Sequence, residues 1–180
     1  MRPLRLAALS FISLLIAGCS GPFLSWESPE PPAPSIEEVA ERLGEPVFTL
    51  TGWGTLNFLC TKDAEGRYWR LVHSDVMLTD SRPGSRRALV RQLQDFSFVS
   101  RDGSMLRAEV ELWQSGATTG DLKTILFKTR PGGNKGRLSG IMHVIRDEAR
   151  GGQPQTACRA SKTGRERSIP FTARYRFYRN

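Results

Sequence analysis

The spacing of hydrophobic and polar positions changes character several times along this chain of 180 residues. Leu6 to Ala17 is an uncharged apolar run of about 12 residues behind Arg2 and Arg5, too short for a permanent membrane-spanning helix, which needs about 20. From Gly21 to Pro34 no periodicity survives. Pro29, Pro31, Pro32 and Pro34 exclude helix and ladder there and favour an extended stalk, reaching about 40 to 50 Å at about 3 Å per residue. Ser35 and Glu38 then form an S-x-x-E capping box, Ile36, Val39, Ala40 and Leu43 share one helical face, and Gly44 and Pro46 supply a stop. The pattern predicts one short amphipathic helix over Ile36 to Leu43, whose apolar stripe must dock on the body or on a partner because two turns are marginal alone.

From Pro46 onward the period is two. Leu56, Phe58 and Cys60 alternate with Asn57, Leu59 and Thr61; Leu106, Ala108, Val110 and Leu112 alternate with Arg107, Glu109, Glu111 and Trp113. The last such run sets Phe171, Ala173, Tyr175 and Phe177 on one face and Thr172, Arg174, Arg176 and Tyr178 on the other. Leu138 to Ile145, apolar on both faces apart from His143, reads as a doubly covered strand. Turn signals at Asp63-Ala64-Glu65-Gly66, Arg82-Pro83-Gly84, Arg101-Asp102-Gly103, Ser115-Gly116, Pro131-Gly132-Gly133-Asn134 and Gly151-Gly152 separate the runs. The expectation is a mainly all-β fold, a single antiparallel sandwich or barrel of about eight or nine strands, with one short N-terminal helix. Its parts are residues 1–18 as a cleaved leader, 19–34 as a tether, 35–45 as the helix and 46–180 as the β domain.

The leader ends in Ile16-Ala17-Gly18-Cys19, which resembles the lipobox of bacterial lipoproteins. The resemblance implies that Cys19 is diacylated at sulfur, becomes the new N-terminus and is acylated again there. Ser20 in the next position implies the outer membrane in enteric-type bacteria, where an aspartate retains the protein in the inner one. Lipidation of Cys19 leaves Cys60 and Cys158 of the three cysteines, and an oxidising compartment makes a disulfide between them the expected state.

Charge is uneven. Residues 19–45 carry six glutamates against Arg42, whereas residues 46–180 hold 23 Lys and Arg against 12 Asp and Glu. Export removes nucleic acid as a partner for that basic body and leaves an anionic envelope component or an acidic protein, besides the membrane reached through the lipid.

Several ordered blocks carry a family resemblance. They are Gly54-Thr55-Leu56-Asn57-Phe58-Leu59-Cys60, Tyr68-Trp69, Arg101-Asp102-Gly103-Ser104 and Gly136-Arg137-Leu138-Ser139-Gly140, then Val144-Ile145-Arg146, Gly151-Gly152-Gln153-Pro154 leading to Cys158, and Ile169 through Tyr178. Together they resemble the uncharacterised "domain of unknown function 3455" family. The family pattern has a histidine, a tryptophan and a threonine where this chain has Gln92, Phe98 and Ala149. The resemblance implies a secreted, mostly β domain with two framework cysteines, and no activity.

Candidate chemistry is sparse. His73-Ser74-Asp75 has the composition of a catalytic triad, but consecutive residues cannot align nucleophile, base and orienter. His143 alternates with apolar neighbours and reads as a hydrogen-bonded, half-buried histidine. No His-x-His or Cys-x-x-Cys is present, so no metal site and no cofactor is expected. Gly132-Gly133-Asn134-Lys135-Gly136 resembles a phosphate loop in composition only and reads as a hairpin turn; Glu109 and Glu111 read as a solvated charge ladder, and Asp147-Glu148 as the polar edge of a turn. Arg159, Lys162, Arg165, Arg167, Arg174 and Arg176 are the candidate anion-binding residues, or else charges that blunt a sheet edge. The sequence thus points to a lipid-anchored envelope protein facing the periplasm, a non-catalytic binding or structural module with a basic surface. The alternatives are a carrier of a small apolar ligand, suggested by Phe58, Trp69, Phe171, Tyr175 and Phe177, and, with least support, a hydrolase.

Overall fold

A computed structural model describes residues 33–80 and 88–179. The leader, Cys19, Ser20, the stalk through residue 32 and the Arg82-Pro83-Gly84 turn lie outside the described residues. Helix α1 (Ile36–Leu43) begins as its capping box requires: Glu38 N–H donates to the Ser35 hydroxyl at 3.2 Å, and Ser35 N–H donates to the Glu38 carboxylate at 2.7 Å. Eight strands follow: β1 (Phe48–Lys62), β2 (Arg67–Asp80), β3 (Val90–Gln92), β4 (Phe98–Ser100), β5 (Met105–Gln114), β6 (Thr124–Pro131), β7 (His143–Gly151) and β8 (Glu166–Tyr178). Each pairs antiparallel with the next, and β8 returns to β1, so the fold is a closed barrel rather than a sandwich.

Strand β1 makes the closure. Leu50–Lys62 pairs with β2 on one side and Phe48–Leu59 with β8 on the other. At Gly54 the strands approach so closely that a Cβ would stand 1.9 Å from the Asp75 carbonyl oxygen. The expected inward set of β8, Phe171, Ala173, Tyr175 and Phe177, is buried in the barrel core with Leu50, Val76, Leu78, Phe98, Phe127 and Val144. Phe98 sits edge-on to Phe127, Tyr175 and Phe177 at centroid distances of 5.9, 6.2 and 5.7 Å, the arrangement aromatic quadrupoles favour.

The helix stripe docks on the outside of the same barrel. Ile36 and Ala40 bury against Leu126, Ile145 and Tyr178, with Leu112 at the margin. The structure departs from the sequence pattern at three further places. Tyr178, placed by alternation on the wetted face of β8, is 1% exposed because α1 covers it. A bulge between Val110 and Leu112 breaks the β5 alternation, so Val110 turns to solvent while Leu112 reaches the helix. Leu138 to Ile145 is not one strand: β7 starts at His143, and Leu138 and Ile141 are buried in the β6–β7 connection, plugging one end of the barrel. Asp147 and Glu148 likewise belong to β7 and not to a turn, with a bulge between Asp147 and Arg150 where Glu148 adopts φ 46°.

The plugged end is tied by Asp102. One of its carboxylate oxygens accepts from Ser104 N–H at 3.0 Å and from the Ser104 hydroxyl at 2.6 Å; the other accepts from Arg137 N–H at 2.7 Å. Ser104 Oγ in turn accepts from Leu138 N–H at 3.2 Å, so the β4–β5 turn holds the segment that supplies the plug. The Ser104 hydroxyl and the Arg137 and Ser104 N–H groups hold the Asp102 carboxyl well below the usual carboxylate range. A group depressed in the folded state stabilises the fold above its unfolded pKa, and that contribution is lost as pH falls through the folded value. Asp102→Asn is therefore expected to lower the thermal midpoint at pH 7, where an amide N–H would face the Arg137 N–H. The gap to wild type should narrow below a pH of about 4. Scanning calorimetry giving equal midpoints at pH 7 would refute this role.

Candidate functional site

The β1–β2, β3–β4, β5–β6 and β7–β8 connections gather at the opposite end from the plug. The longest of them, between β7 and β8, is fastened to the rim by the Cys60–Cys158 disulfide. It is held further by Cys60 N–H on Arg165 C=O at 2.9 Å, Gly164 N–H on Cys60 C=O at 2.8 Å and Trp69 Nε1–H on Thr156 C=O at 2.6 Å. A crosslink spanning 98 residues removes about 4 to 5 kcal/mol of denatured-state entropy in the chain-entropy model. These bonds keep the loop beside the barrel mouth.

Inside that mouth lies a cavity of about 250 Å³. Leu56, Phe58, Val76, Phe96, Leu122, Ile125 and Phe171 form its apolar wall, and Leu93, Gln94, Lys123 and Gln153 stand at its exposed or half-exposed rim. The β5–β6 connection contributes Leu122 to its wall and the β3–β4 hairpin contributes Phe96. A larger depression of about 450 Å³, along Ser115 to Asp121, is an open polar surface groove of the β5–β6 loop.

The cavity wall is not wholly apolar. Gln92 and Arg146 line it while being only 4% and 7% exposed. Between them stands Tyr175, the cross-strand neighbour of Arg146, whose ring lies over Gly52; a Cβ there would meet it at 2.3 Å. Burial pushes the Tyr175 hydroxyl above its ordinary pKa, against the opposing effect of the Arg146 charge, so it stays protonated and donates to Gln92 Oε1 at 2.9 Å.

The six basic candidates are divided by the structure. Arg159, Lys162, Arg165 and Arg167 lie at the mouth, on the disulfide-held loop and the start of β8, with Arg167 over the Trp69 ring at 5.7 Å. Arg174 and Arg176 point out from β8 and are taken up by acids. Arg174 bonds Asp147 through Nε at 2.7 Å and Glu148 through Nη1 at 3.0 Å, and Arg176 also pairs with Asp147. Asp147 thereby balances two cations under the edge of α1.

The triad-like run does not assemble. Ser74 lines the cavity, whereas His73 is exposed and Asp75 pairs with Arg91 at 3.0 Å. His143 faces Glu111 at 3.6 Å from β7, and none of the described cavities is lined by it. Glu109 pairs with Arg130 at 3.2 Å. Among the described residues no group of three His, Cys, Asp or Glu side chains is placed to hold a metal. Gln92 and Arg146 had no place among the sequence candidates. The available signal was the alternation of β7, which turns Val144 and Arg146 inward and Ile145 and Asp147 outward.

No curated protein and no solved structure matches this chain. A family model described as "Protein of unknown function (DUF3455)" matches residues 95–179, from just before β4 to the end of β8. Gln92 is in the cavity wall just before that span, and Phe98 is in the barrel core within it. The plug, Arg146 and Cys158 all fall within the matched span, over which this chain is similar to the DUF3455 family.

Proposed function

We propose that this chain is a non-catalytic binding protein of the bacterial cell envelope, anchored through an acylated Cys19, whose barrel carries a small and largely apolar ligand. The observation that carries the reading is the apolar cavity of about 250 Å³ at the unplugged end. An unfilled space of that kind in a core costs stability, on the order of a few kcal/mol after allowance for its open mouth. A ligand that fills it recovers those contacts. The cavity is smaller than the roughly 300 to 1,000 Å³ typical of sites for drug-sized molecules, which favours a small ligand. The rival reading, a basic surface that docks an anionic envelope component, loses support where Arg174 and Arg176 are bound to Asp147 and keeps it at Arg159, Lys162, Arg165 and Arg167. The leader and Ile16-Ala17-Gly18-Cys19 support the anchor, and three acyl chains exceed the two signals that stable membrane attachment takes. Ser20 favours the outer membrane, facing the periplasm.

Two outcomes test this reading. Intact-mass analysis of the chain recovered from bacterial membranes should give a mature N-terminus at Cys19 with added acyl mass; an unprocessed leader would contradict the anchor. Titration calorimetry of the full chain carrying Cys19→Ser should show saturable, one-to-one binding of octan-1-ol. Ser74→Phe, which places a ring in the cavity while leaving every core aromatic in the sequence, should weaken that binding at least tenfold, and equal affinity in the two would contradict carriage in the barrel.

A further inference from the structure

Resting on the carrier reading, we infer that the ligand bears a carboxylate and that Arg146 and Gln92 receive it inside the barrel. Arg146 is a permanent cation set among Leu56, Ile125 and Phe171, and it pairs with no carboxylate among the described residues. Its Nη2 donates to the Lys123 carbonyl at 3.1 Å, and its Nε–H has no acceptor. The adjacent Asp147 cannot serve, because alternation turns it to the outer face, where Arg174 and Arg176 hold it.

Gln92 is orphaned in the same sense. The protonated Tyr175 hydroxyl occupies its Oε1, which fixes the amide so that Nε2 is left without a partner. Tyr175 is thus bonded to Gln92 through its hydroxyl and is both paired across the ladder and in side-chain interaction with Arg146, whose Nε–H still lacks an acceptor. Both unpartnered atoms are donors, one of them charged, and both residues line the cavity.

Buried donors without acceptors are costly, and a buried guanidinium without a counter-ion more so. A neutral ligand would leave that charge uncompensated, and an amine would be repelled by it. A carboxylate supplies the missing charge and two planar oxygens, the geometry guanidinium groups bind best. The apolar wall then takes a short hydrocarbon body. At the rim Lys123, lying 3.3 Å from the Trp113 ring centroid, and the cationic loop at the same end add a field that draws anions to the mouth. The ligand class is therefore a small monocarboxylate with an apolar chain.

The test compares octanoate, octan-1-ol and octylamine by titration calorimetry on the full chain carrying Cys19→Ser. Octanoate should bind about ten- to a hundredfold more tightly than octan-1-ol, the range a charge-assisted hydrogen bond provides, with octylamine the weakest. Arg146→Met should bring the octanoate to octan-1-ol ratio to near one, and Gln92→Leu, which retains the charge, should reduce it severalfold. The second variant keeps the test decisive should Arg146→Met not fold. Octan-1-ol binding as tightly as octanoate, or a ratio unchanged in Gln92→Leu and Arg146→Met, overturns the carboxylate assignment alone. Absence of binding by all three compounds overturns the carrier reading with it.

Discussion

The pairing of β1 with both β2 and β8 is the constraint from which the remaining structure follows. Once the sheet closes on itself it has no edge to shield, and its inner face is removed from water along the length of β1. Every inward side chain must then pack or find a partner. The close passage at Gly54 and the lodging of Tyr175 over Gly52 are local requirements of that closure, since a Cβ at either glycine would meet backbone or ring. The outer face is under a different demand. Where α1 covers it, Leu126, Ile145 and Tyr178 are apolar; where it is bare, Arg91, Arg130 and Lys128 alternate with the core.

Closure leaves two ends, and they are finished differently. At one, Asp102 and Ser104 pin the β6–β7 connection so that Leu138 and Ile141 fill the bore. At the other, a disulfide holds the long β7–β8 loop at the rim, and the bore remains open down to Gln92 and Arg146. The asymmetry makes a cup. Its depth is polar and cationic, its wall apolar, and those properties together select the ligand chemistry argued above.

Much of this was legible in the chain. The capping box at Ser35 and Glu38 fixed α1 to its observed limits, because a local hydrogen-bond pair and a glycine stop need no tertiary information. The alternation in Phe171 to Phe177 fixed the inner face of β8 for the same reason. What failed required knowledge of neighbours. Tyr178 could be placed only once α1 was known to lie across it, and the β5 bulge that exposes Val110 has no signature in the sequence around it. Asp147 resembled a turn residue because its partners, Arg174 and Arg176, are distant in sequence. The cavity was the least legible feature. It is a space left by short strands, and Arg146 looks like any surface arginine until its inward phase is counted from Val144.

The most direct measurement of the central claim is a crystal structure of the protein recovered from bacterial envelopes without added ligand. The account predicts continuous density for a small molecule between Leu56, Phe96 and Phe171, with paired oxygens against Arg146 Nε and Gln92 Nε2. A barrel whose mouth has collapsed, with Phe96 packed into the cavity and those two donors satisfied by protein or water, would contradict it.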